Sequence, residues 1–201
     1  INAYLEDYAF TIEAYIELYQ ATFDEKWLHR SRVLLNTAIA DFSNEENGMF
    51  YFTSIQDSPL IARKLEVEDN VVPSGNSSLA KSLFLLGTLD NNEIWKARSK
   101  QMLRNVQTSV DYGQNYSNWG ILGLWQTHPF YEVAITGDSC IQMRQEMDQH
   151  YLPNLVYLGG TTGTIPLLEG KFFDETTLFV CQNKTCQLPV NTSNEALSQI
   201  K

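Results

Sequence analysis

Apolar side chains recur at helical spacing along the first part of the chain, and this periodicity limits the possible folds more than any other sequence feature. In residues 3–21 the spacing is sustained for about five turns. Asp24 is suited to cap a second helix, whose apolar stripe extends to Phe42. Because the connection between the two stripes is short, the sequence predicts a pair of antiparallel neighbouring helices.

An extended segment and three more helices follow this pair. Strand-like residues at 49–53 and 60–67, with a turn signal before them, predict a β-hairpin inserted between helices. Capping residues then introduce helices that reach about Leu89, run over roughly 93–109 and cover 116–126. Since helix pairs with short turns keep repeating, we expect an α/α toroid rather than a four-helix bundle.

The pattern changes at Pro129, where continuous or alternating apolar runs replace the helical spacing. Residues 131–136, 141–150 and 154–158 read as strand, helix and strand, which is the order of a parallel βαβ unit. A third strand is predicted at 177–180, and a short helix near the last residues. The last third of the chain is therefore a small α/β unit.

The fold class that follows is mainly α. We predict a partial α/α toroid of antiparallel helix pairs with an inserted β-hairpin over residues 1–128, and a small C-terminal α/β appendage over residues 129–201. Five helices are too few to close such a ring, so an apolar and aromatic face should stay uncovered. We therefore expect the chain to associate with itself.

The charge balance excludes two classes of partner. The formal net charge is -10 at pH 7, so the phosphates of nucleic acids and anionic membrane surfaces would be repelled. No apolar run is long enough to span a membrane and no signal peptide opens the sequence, which predicts a cytoplasmic protein. The sequence begins at Ile1 inside a predicted helix, so we expect part of a longer polypeptide.

The three cysteines, Cys140, Cys181 and Cys186, also favour a reducing compartment, because an odd number without a secretory signal is typical of it. The spacing of the last two fits neither a C-x-x-C site nor a zinc ligand set. A disulfide across a turn is conceivable, but we expect both thiols reduced, with Cys181 facing inward at the end of a strand.

A polar turn at residues 69–78 joins the extended segment to the third helix. Pro73 fixes the backbone, and Gly75 is interpreted as allowing backbone geometry that a side chain would forbid. Ser74 is a good helix N-cap, and Asp69 places a carboxylate at the entrance. Such a turn is either a well-capped helix start or a ligand site at a helix N-terminus, where backbone donors point outward.

Four motifs resemble those of one protein family. Residues 5–9 read LEDYA, residues 48–53 read GMFYFT, residues 73–77 read PSGNS, and residues 180–190 read VCQNKTCQLPV. They are similar, in the same order, to the L-D-D-Y-A, G-x-F-Y-F-T, P-S-G-N-S and V-C-x-N-x-T-C-Q-x-P-V motifs of thioredoxin-domain-containing proteins. That family comprises bacterial YyaL and the animal spermatogenesis-associated relatives, and the resemblance covers essentially the whole chain.

The resemblance implies an architecture. Such proteins begin with a thioredoxin-like domain, followed by an (α/α)6 toroid similar to six-hairpin glycosidases and N-acylglucosamine 2-epimerases. The chain would then be the C-terminal portion, without the thioredoxin-like domain and the first toroid helices. Leu65 stands where the family has a lysine and Asn70 where it has a glycine, so no role for that lysine is carried over.

The candidate site combines carboxylates with polar and aromatic side chains near the turn. Glycosidic cleavage needs two carboxylates with different pKa values, and toroid enzymes hold such groups at helix ends and in the loops above them. Serine and asparagine suit sugar hydroxyls, and tyrosine suits a ring face. The candidates are Asp7, Glu66 and Asp69 for acid and base, and Tyr8, Ser74 and Asn76 for substrate binding.

These residues lead to a carbohydrate-binding or glycosidase/epimerase-like module, with a carbohydrate as ligand and no cofactor or metal. Epimerisation is less favoured, because the related epimerases use histidines and this chain has only His29, His128 and His150. The alternative is a redox-linked or scaffold module that serves the thioredoxin-like domain of the intact protein without catalysis of its own. A close, exposed Cys181–Cys186 pair would favour the hypothesis of a redox-linked module.

Overall fold

The computed structural model describes residues 3–58 and 61–200, of which about half are helical. The helices are α1 (Leu5–Thr22), α2 (Lys26–Phe42), α3 (Gly75–Leu89), α4 (Glu93–Gln107), α5 (Ser117–Thr127), α6 (Cys140–Met147) and α7 (Ser193–Gln199). The strands are β1 (Tyr131–Thr136), β2 (Leu155–Gly160), β3 (Thr177–Gln182) and β4 (Thr185–Cys186). Short 3-10 turns lie at Gly113–Tyr116 and Pro166–Leu168.

The predicted pair of antiparallel helices at the start is confirmed. One face of α1 is buried through side chains spaced three or four residues apart, from Leu5 to Tyr19. Phe23 ends α1 in the left-handed conformation, and the Asp24 carboxylate accepts a hydrogen bond from the Lys26 amide at 3.0 Å. Helices α3 and α4 form a second pair, with Asn92 capping α4 as predicted. Membership of a larger toroid stays a proposal.

The β-hairpin predicted between α2 and α3 is confirmed only as antiparallel contact between its two segments, and not as two regular strands. Within the described residues, this segment has only single antiparallel bridges, which join Ser43 to Phe50 and Tyr51 to Leu65. The predicted second strand begins at Leu60, which lies outside the described residues. Beside these bridges, a side chain supplies partners for the backbone: the Phe50 amide donates to Asn76 Oδ1, and Asn76 Nδ2 donates to the Phe50 carbonyl, both at 2.8 Å.

The predicted βαβ unit is confirmed. Strands β1 and β2 are parallel neighbours connected through α6, and β3 pairs antiparallel with the other side of β1. The short strand β4 completes a mixed sheet of order β2-β1-β3-β4. All six residues of β1 are buried, as expected for the central strand of a covered sheet.

The two cysteines expected as free thiols form a disulfide, so that prediction is wrong. Asn183 and Lys184 both adopt left-handed backbone conformations and make a tight two-residue turn between β3 and β4. This turn places Cys181 directly opposite Cys186. Cys181 is buried at the end of its strand, as predicted, whereas Cys186 is exposed; Cys140 is a buried free thiol.

The end of α1 lies against the end of β2. The Gly159 amide donates to the Tyr19 hydroxyl at 3.3 Å, and the Tyr157 amide donates to Gln20 Oε1 at 3.0 Å. A Cβ on Gly159 would lie 2.0 Å from the Ile135 carbonyl oxygen, so only glycine fits there. One continuous hydrophobic core crosses residue 128, and the division into two domains at that position stays a prediction.

Candidate functional site

Asp69 is the centre of a buried hydrogen-bond network below the polar turn. Its Oδ1 accepts hydrogen bonds from the Ser74 amide at 3.0 Å and from the Ser77 hydroxyl at 2.6 Å. Its Oδ2 accepts a hydrogen bond from the Asn118 amide at 2.8 Å. The carboxylate therefore links the turn to the first residues of α5 by hydrogen bonds. Its three donors offset the free-energy cost of burying its charge.

The other two polar candidates of the turn are also bonded internally. Asn76 is fully buried, and besides its two bonds to Phe50 it donates to the Glu66 carbonyl at 2.8 Å. The Ser74 hydroxyl accepts from the Ser77 amide and donates to the Val67 carbonyl, both at 3.1 Å. Ser74 is thus the predicted N-cap of α3.

Gly75 is required for close packing and not for an unusual backbone conformation, which corrects the expectation from sequence. It is the first residue of α3 and is not among the residues with left-handed backbone. A Cβ at this position would lie 3.0 Å from Leu5 Cδ2 and 3.4 Å from Glu6 Cγ. The glycine therefore lets the first turn of α1 approach the polar turn.

A groove of about 600 Å³ lies where these two turns meet, and we call it the acidic groove. It is lined by Glu6, Lys64, Leu65, Glu66, Val67, Glu68, Asp69, Asn70, Val71, Val72, Ser74 and Asn115. Of the six predicted site residues, it brings together Glu66, Asp69 and Ser74. Asp7, Tyr8 and Asn76 are not part of its lining.

Asp7 and Tyr8 have structural contacts instead. Asp7 Oδ2 accepts a hydrogen bond from the Tyr4 amide at 2.8 Å and so caps the first turn of α1. The Tyr8 ring packs against Phe42 of α2, with 5.3 Å between the ring centroids. The sequence analysis predicted that these two side chains face a ligand. In the structure, the groove is lined by their neighbour on the helix, Glu6.

Glu6 is the residue that the site prediction missed. Burial raises the pKa of its carboxyl above the ordinary value, and the negative charges of Glu66 and Asp7 raise it further. Glu66 forms an ion pair with Lys64 at 2.8 Å. The acidic groove therefore holds a carboxyl that retains its proton more readily next to a carboxylate paired with a cation. Glu6 lines the groove because its helical turn packs against Gly75, and the helical periodicity of the sequence does not reveal this contact.

A polar chain connects the groove to the interior of the helical part. Lys81 Nζ donates to Asn118 Oδ1 at 2.9 Å and lies 3.4 Å from Glu13 Oε1. Asn118 Nδ2 donates to the Ser77 hydroxyl at 2.9 Å, and this hydroxyl donates to Asp69. Lys81 and Asn118 were not predicted, because the contacts arise only when α3 packs on α5.

Aromatic surface lies in a second cleft, of about 440 Å³, between the helices and the sheet. Phe84, Trp125 and Phe130 pack against one another there, with centroid separations from 4.9 to 5.9 Å. His128 also lines this cleft. Tyr8 therefore provides no aromatic surface in the described lining of the acidic groove, and the second cleft has an aromatic lining instead.

The described residues contain neither a membrane-spanning helix nor a cluster of metal-binding side chains. Within residues 3–58 and 61–200, no helix is long and apolar enough to cross a membrane. The same ranges contain no group of three or more His, Cys, Asp or Glu side chains placed to hold a metal ion.

Comparison with known proteins finds one group of similar sequences. No protein-family model matches the chain. Spermatogenesis-associated protein 20 of Homo sapiens is 24% identical over 209 residues, and its counterparts in Mus musculus and Rattus norvegicus are 24% identical over 211 residues. Each match covers 93% of this chain and 26% of the relative. The chain thus spans about a quarter of these proteins and is similar to that part of them.

Proposed function

We propose that the acidic groove binds a neutral carbohydrate and that Glu6 and Glu66 form the carboxylate pair of a glycosidase-like site. The observation that supports this is the unequal environment of the two groups. The pKa of Glu6 is raised by burial and by the charge of Glu66, whereas Glu66 is paired with Lys64. A protonated acid next to an ionised carboxylate is the arrangement that glycoside hydrolysis uses.

The ligand class follows from the charges around the groove. Among the described residues, Glu6, Glu66, Glu68 and Asp69 line it together with one cation, Lys64. This balance repels phosphorylated or acidic sugars, whereas carboxylates accept hydrogen bonds from neutral hydroxyl groups. The groove lining contains no histidine, which favours hydrolysis over an epimerisation that uses histidine bases.

In this proposal, the remaining predicted residues position the carboxylates. Asn76 donates to the Glu66 carbonyl and so fixes the backbone of the proposed base. Asp69 and Ser74 hold the segment that follows Glu66, through the Ser74 amide and the Val67 carbonyl. Asp7 caps the helical turn that carries Glu6. Their saturated hydrogen bonds suit this role better than direct proton transfer.

In a longer polypeptide, the family resemblance suggests a thioredoxin-like domain as the neighbour of this module. Helix α5 offers a surface for such a contact or for self-association, because Ile121 and Leu124 are both largely exposed on it. Self-association of the isolated chain would be seen by light scattering, and a monomer at all concentrations would contradict it.

The test is a panel of neutral oligosaccharides, with binding measured by calorimetry and turnover by release of reducing ends. We expect Glu6→Gln and Glu66→Gln to lower turnover by about 10²–10⁴-fold, as for loss of a general acid or base, with a smaller effect on binding. Glu46→Gln, an exposed glutamate outside the groove, is the matched control. Equal losses in all three variants would contradict the proposal.

A non-catalytic scaffold is the second candidate, and one observation favours it. The polar atoms of Asp69 and Asn76, two buried candidate residues near the turn, already have partners within the protein. If wild type neither binds nor cleaves any oligosaccharide of the panel, the scaffold function replaces the glycosidase-like one.

A further inference from the structure

Glu132, Cys181 and Cys186 stand in one row across the sheet, far from the acidic groove. Glu132 of β1 is the cross-strand partner of Cys181 of β3, and Cys181 is the partner of Cys186 of β4. Residues directly opposite one another in antiparallel strands point to the same face, with Cβ atoms about 4.5–5.5 Å apart. A carboxylate therefore lies beside the disulfide that joins the two cysteines.

The two halves of the disulfide differ in accessibility. Cys181 is 4% exposed, whereas Cys186 is exposed on the short edge strand. Both residues line a cavity of about 290 Å³, which is also lined by Lys171 and Lys184. A small or extended thiol compound therefore has access to one sulfur, in a pocket that contains positive charge.

The turn beside the disulfide is tied to the same carboxylate. The Lys184 amide donates to Glu132 Oε2 at 3.0 Å, and Lys184 Nζ lies 3.6 Å from Glu93 Oε1 of α4. The disulfide closes a loop with a sequence separation of only 5. Cross-links that close short loops constrain the unfolded chain least, so opening this one costs little fold stability compared with opening a long loop.

We propose that Cys181–Cys186 is a redox-active disulfide that exchanges with a dithiol, and that Cys186 is the sulfur attacked. A thiolate of the dithiol attacks Cys186 Sγ, the Cys181–Cys186 bond breaks, and Cys181 Sγ leaves as a thiolate. The second thiolate of the dithiol then attacks the other dithiol sulfur, which is bonded to Cys186 in the mixed disulfide, and Cys186 leaves as a thiolate. Two electrons and two protons pass to the cysteines, and the dithiol ends as a cyclic disulfide.

The residues around the cavity suit both directions of this exchange. Lys171 and Lys184 line the cavity together with Glu132, Glu169 and both cysteines, and a nearby cation stabilises a departing thiolate. In the reverse direction, the Glu132 carboxylate is placed beside Cys181 to accept its thiol proton as the disulfide forms again. Glu132 is buried, and its bond to the Lys184 amide holds it in place.

The first test uses the wild-type chain in native buffer with dithiothreitol as the dithiol. Samples are alkylated at intervals, each cysteine is quantified by mass spectrometry, and circular dichroism follows the fold. We expect Cys181 and Cys186 to become alkylated while the circular dichroism spectrum is retained and Cys140 stays protected. Reduction that occurs only together with loss of the spectrum would identify a purely structural disulfide and overturn the proposal.

The second test identifies the attacked sulfur with oxidised glutathione as the probe. Cys181→Ser leaves Cys186 alone, and Cys186→Ser leaves Cys181 alone, so the rate of mixed-disulfide formation can be compared. Because thiol exchange depends on access, we expect Cys186 to react about tenfold faster or more. Equal rates would refute attack at Cys186. Cys140→Ser is the matched control and should leave reduction of the pair unchanged; the wild-type measurement does not require these variants to fold.

Discussion

The segment between α2 and α3 and the C-terminal sheet both contain antiparallel backbone pairing, but they are held by different groups. In the sheet, the backbone of each strand pairs with its neighbour over several residues. In the described part of the segment 43–74, backbone bridges are isolated, and side chains supply further hydrogen-bond partners. A regular ladder requires only a repeated pattern of side chains, whereas the segment depends on particular residues at particular positions.

Arginines take part in this side-chain support. Arg63 Nη2 donates to the Asp41 carbonyl at 3.0 Å, and Arg98 Nε donates to the Gly48 carbonyl at 2.9 Å. Together with Asn76, they join the segment to α2, α3 and α4. A change in one such side chain removes several bonds at once, whereas a side-chain change in a strand leaves the backbone ladder in place. Stability measurements can separate the two cases.

The largest effect is expected for Asn76→Ala. The change leaves the buried Phe50 amide, the Phe50 carbonyl and the Glu66 carbonyl without their partner. At about 1 kcal/mol or more for each of these three unsatisfied groups, the free energy of unfolding should fall by at least about 3 kcal/mol. Urea unfolding measures it, with Asn194→Ala at an exposed position of α7 as the control. Equal losses in the two variants would show that the segment does not depend on this amide.

Asp69→Asn should have the next largest effect. An asparagine at this position has one acceptor oxygen for the three donors that the carboxylate now serves, and its amide group faces other donors. We expect a loss of about 2–3 kcal/mol and faster hydrogen exchange at the Ser74 and Asn118 amides. Unchanged exchange at both amides would contradict the role of Asp69 as the link between the turn and α5.

In the sheet, Ile135→Val should cost about 1 kcal/mol, the usual cost of removing one buried methylene group. Ile135 is fully buried on β1, but its backbone bonds to both neighbouring strands do not depend on its side chain. Hydrogen exchange along β1 should therefore keep its pattern. Selective loss of protection at β1 would show that the sheet is as dependent on single side chains as the segment 43–74.

The smallest effect concerns the pH dependence of stability. Because the pKa of Glu6 is raised in the folded protein, the folded state keeps this proton at pH values where the unfolded chain releases it. The free energy of unfolding should fall as pH rises through that window, and Glu6→Gln should remove this part of the decrease. Urea midpoints at acidic and neutral pH measure it, with Glu46→Gln controlling for net charge. If the free energy of unfolding of Glu6→Gln fell more steeply with rising pH than that of wild type, the expected contribution of Glu6 would be contradicted.

The comparison also explains which features the sequence could predict. Helix starts at Ser74 and Asn92 and the parallel βαβ unit follow from local caps and periodicity, and the structure has them. The hairpin prediction overstated the backbone pairing, because the segment has isolated bridges and Asn76, distant in sequence, supplies partners for the Phe50 backbone. At the candidate site, the turn was found but Glu6 was not, since its position depends on contact with Gly75.

The contacts between α1 and β2 can form only late in synthesis. The bonds from Tyr19 to Gly159 and from Gln20 to Tyr157 join residues 140 and 137 positions apart. The end of the first helix therefore leaves the ribosome long before its partner strand exists. Until residue 160 has emerged, the apolar surface of that helix end lacks its cover and is available to chaperones or to other nascent chains. Truncations that stop before β2 should accumulate as aggregates, even though every helix of the first half is present.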